Sequence, residues 1–144
     1  MKSIVIEYDV PADAATVFTF LTDFDQLRRW RSLESMRTEP AGPLQVGTRL
    51  FSVVRGPGGQ MTFTNEVTDL DPERRFYRDR FLTGTFPIQS SWQVEPTSEG
   101  ARIVWHTEYA GGGIMRLLGP FLGRAIRQGQ LQDLAKLRQL LQER

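Results

Sequence analysis

Apolar and polar positions alternate in six stretches of the first 110 residues, broken by a helical period over Ala12–Leu33, and the pattern after them is helical. Within Ser3–Val10, Ile4, Ile6, Tyr8 and Val10 fall on one side and Glu7 and Asp9 on the other, the pattern of a half-buried strand. Pro11 suits a first helical residue, because the N–H it lacks would have no partner there. Ala14, Val17, Phe18 and Leu21 then recur at helical spacing and predict a helix over Ala12–Leu21. Thr22 and Asp23 can cap a second helix from Phe24 to Leu33, which carries Leu27 and Trp30.

Strand periodicity resumes after the Pro40-Ala41-Gly42-Pro43 turn. Arg49–Arg55 and Gln60–Leu70 read as a hairpin joined through Gly56-Pro57-Gly58-Gly59. Arg74–Leu82, Thr85–Val94 and Ala101–Tyr109 follow; six strands after two helices would form an antiparallel meander, and alternation locates these five of them. Beyond Gly111-Gly112-Gly113 the pattern is helical to the end. Ile114, Leu118 and Phe121 make one stripe, whereas Leu122, Ile126, Leu134, Leu137 and Leu141 make another. Successive residues of a helix turn by about 100°, so the two stripes point in different directions on one straight helix. Gly119-Pro120 lies at the change, which predicts a kink or a fresh helix start at Pro120. From Pro120 to Arg144 the helix would be about 37 Å long, enough to cross a sheet.

Composition narrows the function. A chain of 144 residues is one domain on size, so 1–144 is read as a single unit. The 18 basic and 17 acidic side chains nearly cancel, leaving no overall field to draw the chain onto nucleic acid. With no cysteine and one histidine, disulfide frameworks, thiolate nucleophiles and Cys- or His-rich metal sites are excluded, and no cofactor is expected. The N-terminal residues show no signal-peptide core and no apolar run is long enough to span a bilayer, so the expectation is a cytoplasmic protein.

An α+β architecture follows from the order of elements. So many alternating strands need a cover for their apolar face, and the terminal helix is the element long enough to supply it. A curved sheet around one helix leaves space between them, the usual setting for a ligand. Trp92, Trp105, Phe63, Phe86 and Tyr109 share the inward parity of their strands, with Phe121 and Ile126 facing them from the helix. Polar Asn65, Ser90 and Thr107 lie on that same parity, and buried polar groups in a core point to a wet or ligand-filled cavity. Trp30, Tyr77, Ile88, Leu118 and Leu122 complete the candidate wall.

Several segments carry a wider resemblance: Val10-Pro11-Ala12-Asp13-Ala14-Ala15-Thr16-Val17-Phe18-Thr19-Phe20-Leu21-Thr22-Asp23 followed by Trp30; Leu44-Gln45-Val46-Gly47-Thr48-Arg49; Leu70-Asp71-Pro72-Glu73-Arg74-Arg75-Phe76; Gly100-Ala101-Arg102-Ile103-Val104-Trp105; and Leu117-Leu118-Gly119-Pro120-Phe121-Leu122 before the final helix. Together they resemble the START/birch-pollen-allergen-like superfamily (SRPBCC), of polyketide cyclase/dehydrase and lipid-transport type, over essentially the whole chain. The resemblance implies a helix-grip fold, β-α-α-β6-α, with a cavity between sheet and helix. It carries no fixed catalytic set, since members include carriers, receptors and aromatase/cyclases. One departure is Arg31, where many relatives have aspartate after the tryptophan.

Other candidate chemistry yields to simpler readings. His106 shares the parity of Arg102 and Glu108, away from the cavity. Asp69, Asp71 and Glu73 lack the ligand number and glycine of a calcium loop. The glycine-rich segments lack the Lys-Ser/Thr of a phosphate loop. Arg28, Arg29 and Arg31, and Arg74, Arg75, Arg78 and Arg80, read as solvated faces. The leading expectation is a non-catalytic binding protein for a small hydrophobic molecule such as a lipid, polyketide or quinone, with Asn65, Ser90 and Tyr109 orienting it. The enzymatic alternative is a polyketide cyclase, for which Tyr77, Asp79, Asn65 or Tyr109 would supply a buried base or donor. A third alternative is an interaction module, and peripheral membrane contact and a monomer or homodimer state stay open.

Overall fold

Alternation carries the chain into a seven-stranded antiparallel sheet, seen in a computed structural model that describes residues 2–56, 58–82, 87–109 and 114–143. The elements are β1 (Lys2–Val10), α1 (Ala14–Thr22), α2 (Leu27–Trp30), β2 (Ser35–Glu39), β3 (Arg49–Gly56), β4 (Gly59–Asp71), β5 (Phe76–Phe81), β6 (Ile88–Thr97), β7 (Gly100–Tyr109) and α3 (Ile114–Gln142). In space the strands run β1-β7-β6-β5-β4-β3-β2. The α1–α2 segment therefore carries the chain from one edge to the other, and the meander returns until β7 closes on β1. The sheet is curved, as the helix-grip expectation requires. A bulge in β4 between Val67 and Asp69 shifts its register against β5, so Asp69 faces outward opposite Arg78 and Leu70 shares the face of Tyr77.

The covered side of the sheet is lined by helices. α3 packs on β1 and α2, while α1 packs on β6 and β7. Ile4, Ile6 and Val10 from β1 meet Val17, Phe18 and Leu21 from α1 and Leu134, Leu137 and Leu141 from α3 in one core. The leucines repeat at three and four residues, which keeps them on the stripe of α3 that faces the sheet. Trp30, wholly buried at the end of α2, packs against Trp92 at 5.7 Å and Trp105 at 6.2 Å between ring centres. Tyr77 stacks on Trp92 at 4.9 Å, extending the aromatic slab to β5.

Four local expectations are corrected. α1 begins at Ala14, not at Ala12: Asp13 is the cap, its Oδ1 accepting from the Thr16 N–H at 3.0 Å, and Pro11 precedes it. That hydrogen bonding also holds the exposed Asp13 carboxyl below its ordinary range. α2 has only four residues, because turns take up Phe24–Gln26 and the chain extends from Arg31. Ser35–Glu39, to which alternation assigned no element, supplies the sixth meander strand as an edge paired with β3 alone. Its one large apolar residue, Met36, gives little pattern to read. Finally, α3 makes no fresh start at Pro120 but continues through it, for about 43 Å in all. Continuity there forgoes one backbone hydrogen bond, which the proline nitrogen cannot donate.

Two substitutions test this packing. Gly100 opens β7 where an added Cβ would collide with the Val10 carbonyl oxygen and lie 2.9 Å from the Ala12 nitrogen. Gly100→Ala should therefore cost about 1–3 kcal/mol in urea unfolding. Trp30→Ala should cost about 3–5 kcal/mol and remove the near-ultraviolet dichroism of the coupled indoles. A near-neutral effect at either position would contradict the packing described.

Candidate functional site

Strand geometry sorts the inner face of β4–β7 into layers, since residues two apart share a face about 6.7 Å from one another. The lowest layer is Tyr77, Trp92 and Trp105, direct cross-strand partners sealed by Trp30. One step along the strands lies a polar row in which Asp79 pairs with Ser90 and Ser90 with Thr107, with Asn65 reaching Asp79 from β4. Beyond it, Ile88 pairs with Tyr109, and Phe81 meets Phe63 edge-on at 5.5 Å between ring centres. Trp92 and Tyr77 are packed core, whereas Phe63, Asn65, Phe81, Ile88 and Ser90 are only half-buried. The polar row thus forms the boundary between a closed aromatic floor and a less covered apolar wall.

Each polar group of that row is held by a partner. The Tyr77 hydroxyl donates to Asp79 Oδ2 at 2.5 Å and Asn65 Nδ2 donates to Asp79 Oδ1 at 3.2 Å. Trp105 Nε1 donates to Ser90 Oγ at 2.8 Å, which ties the floor to the row. From α3, Gln130 Nε2 donates to Thr107 Oγ1 at 2.9 Å, while Gln130 Oε1 is buried with no hydrogen-bond partner among the described residues. The Trp30 and Trp92 indole nitrogens are likewise buried without acceptors there.

A second charged cluster joins α2 to α3. Arg31 Nε lies 3.1 Å from Asp133 Oδ2, and the Arg31 guanidinium sits 4.9 Å from the centre of the Trp105 ring. The Arg31 Nε–H is not aligned for a hydrogen bond, so the contact is an ion pair held by charge and by stacking on the indole. Ser32 Oγ donates to Asp133 Oδ1 at 3.2 Å. Burial raises the pKa of Asp133, against the opposing pull of Arg31, Ser32 and Lys136. Burial also raises that of Asp79, opposed by the Tyr77 and Asn65 hydrogen bonds and by the Arg31 charge. The Tyr77 hydroxyl is pushed well above its ordinary range, first by burial and then by the neighbouring Asp79 charge, so it stays a donor.

The structure gathers most of the residues expected to line a site, and moves others out of it. Trp30, Tyr77, Trp92 and Trp105 come together as floor; Asn65 and Ser90 lie in the row; Phe63, Ile88 and Tyr109 form the wall. Ile126 is half-buried against the core. Tyr109 is buried beside Gly123 of α3, where an added Cβ would stand 3.1 Å from its hydroxyl. Phe121 is 70% exposed, and this corrects its assignment to the wall. Phe86, and the side chains of Leu118 and Leu122, lie outside the described residues.

Arg31 is half-buried and inward, not part of a solvated face, and Arg75 is half-buried with its Nε donating to the Val94 carbonyl. Arg28 and Arg29 are exposed, and Arg78 and Arg80 pair with Asp69 and Glu66. His106 lies 3.8 Å from Glu108 on the outer face. The sequence-derived wall omitted Phe81, Gln130 and Asp133, and Asp79 was named only as a base for the enzymatic alternative. Asp79 could have been placed there, since it stands two residues after inward Tyr77. Gln130 and Asp133 sit one turn apart before Leu134 and Leu137, but nothing in the spacing of polar residues distinguishes them from an exposed helix face.

Hollows formed by described residues include two away from the polar row. One, of about 340 Å³, lies on the β2–β4 wing and is lined by Arg37, Phe51, Val53 and Phe63 among others. The second, about 280 Å³, lies between α1, α2 and the end of α3 at Phe20, Arg29 and Leu140. Among the described residues, no helix is long and apolar enough to cross a membrane.

Solved structures share this architecture at low sequence identity. A protein from Thermus thermophilus matches with a TM-score of 0.80 and 20% identity over 96% of this chain and 95% of that one. The Zhui aromatase/cyclase of a Streptomyces species gives 0.80 and 17% over 99% and 94%. Norcoclaurine synthase from Thalictrum flavum gives 0.73 and 19% over 99% and 88%. No curated protein sequence matches the chain. Residues 1–142 match the family described as polyketide cyclase/dehydrase and lipid transport, and the chain belongs to that family.

Proposed function

We propose that this protein binds a small hydrophobic molecule on the inner face of its sheet. The apolar wall at Phe63, Phe81 and Ile88 would supply burial, and the Asn65–Asp79–Ser90 row would orient the ligand. One observation carries the reading: a buried carboxylate lies in a polar row between two apolar layers. Taking a carboxylate out of water costs several kcal/mol, and a core selected for folding alone is better filled by an apolar side chain. Membership of a lipid-transport and cyclase family supports the same reading.

The Tyr77–Asp79–Asn65 constellation favours a second reading, a cyclase. Asp79 could take a proton from the carbon between two carbonyls of a poly-β-ketone, and a hydroxyl donor could stabilise the enolate oxygen. The carbanion would then form a carbon–carbon bond to a distant carbonyl, with water lost afterwards. A cyclised product one water lighter than a poly-β-ketone substrate, absent with Asp79→Asn, would establish this reading. Unchanged substrate with the folded protein would remove it.

Binding itself is tested with Nile red, a neutral fluorophore that brightens in apolar surroundings. Saturable one-to-one binding is expected, weakened at least tenfold by Ile88→Glu with the fold intact. Absence of saturation, or indifference to Ile88→Glu, would refute the proposed site. The raised pKa of Asp79 gives a further expectation. The folded state holds that proton more tightly than the unfolded chain, so the charged group lowers stability at neutral pH. The penalty is relieved as pH falls through the raised value. Asp79→Asn should therefore compare more favourably with the native protein at pH 7 than at pH 3 in urea unfolding, and a pH-independent difference would contradict the assignment.

A further inference from the structure

We infer that the polar row reads the hydrogen-bond donors of its ligand, so that the molecule bound presents a hydroxyl or a protonated amine rather than a carboxylate. The inference rests on the proposed binding role and specifies the chemistry of the same site. Among the described residues the buried charged groups are Asp79 and Asp133, both acidic. The neighbouring cation, Arg31, is committed to Asp133 at 3.1 Å and stacked on Trp105. Asp79 is held by two neutral donors, the Tyr77 hydroxyl and the Asn65 amide, so its charge has no cation at hydrogen-bonding distance among the described residues.

Gln130 gives an independent sign. It is 9% exposed, its amide nitrogen is spent on Thr107, and its Oε1 is buried with no donor among the described residues. A buried acceptor left without a donor is costly, and a ligand hydroxyl or ammonium would relieve that cost. Thr107 and Asp79 lie two strands apart, about 10 Å, so Gln130 and Asp79 mark the two ends of one acceptor-rich row. A carboxylate placed against this row would face the Asp79 charge and leave the Gln130 oxygen unpaired. An alcohol or ammonium would satisfy either end.

Three probes with the same ten-carbon chain separate these cases: decan-1-ol, decylamine and decanoate. Binding is measured by calorimetry at pH 7 and physiological salt. The alcohol and the amine are expected to bind at least tenfold more tightly than decanoate. Asp79→Asn should reduce the amine-to-decanoate ratio at least fivefold. Gln130→Met, which removes the orphan acceptor without altering charge, should weaken alcohol binding about threefold to tenfold and leave decanoate unchanged. It also keeps the test available if Asp79→Asn fails to fold. Decanoate binding as tightly as the alcohol, or preferences unmoved in the folded variants, would overturn the donor-reading row while leaving a hydrophobic site in place. Binding of none of the three would overturn the underlying binding role as well.

Discussion

A carboxylate taken out of water must be compensated, and the inner face of this sheet is organised around that requirement at Asp79. Two neutral donors meet it, one from the same strand and one from the next. Each is itself positioned by apolar packing. Tyr77 delivers its hydroxyl because its ring is stacked on Trp92, and Trp92 is fixed by Trp30 and Trp105. The aromatic slab therefore closes the core below the polar row and also sets the geometry within it. Loss of slab order would reach Asp79 through its direct contact with the Tyr77 hydroxyl.

The helices are coupled to the same row. Gln130 of α3 donates to Thr107, and one turn later Asp133 and Leu134 return to the α2 seam and the core. Arg31 completes the seam by stacking on Trp105, whose indole N–H in turn holds Ser90. A continuous set of contacts thus runs from α2 through the floor to the row, and from α3 onto its far end. The arginine that replaces the expected aspartate after Trp30 is matched by an acid on α3, so the departure in sequence is accommodated by a charge elsewhere in the chain.

Most of the framework was legible from periodicity. Alternation located the strands from Arg49 to Tyr109, and it is cleanest in β7, where every second side chain is buried; the register of β5–β7 then brings Asp79, Ser90 and Thr107 into line. What escaped was set by interactions that leave no periodic trace. Ser35–Glu39 is held by backbone pairing to β3 and carries one large apolar side chain. Pro120 stays helical although its ring breaks the local hydrogen-bond pattern. Phe121 is apolar yet exposed, and composition cannot tell which of two stripes docks. The floor residues of the strands and Phe63, Ile88 and Tyr109 were recognisable from strand parity, whereas Phe81, on the parity of Tyr77, was passed over. Gln130 and Asp133 were not recognisable, because a polar residue on a helix announces its burial only through the partner it meets.

The central claim is that ligand binds against the polar row above a closed aromatic floor, and the three tryptophans give a direct test. Their indole N–H groups yield separate signals in a nitrogen–proton correlation spectrum. Trp105 donates to Ser90 in the row, whereas Trp30 lies sealed beneath it. Saturation with decan-1-ol should shift the Trp105 indole signal progressively and leave that of Trp30 nearly in place. Saturable binding that leaves Trp105 unmoved would place the ligand elsewhere on the protein and contradict the account.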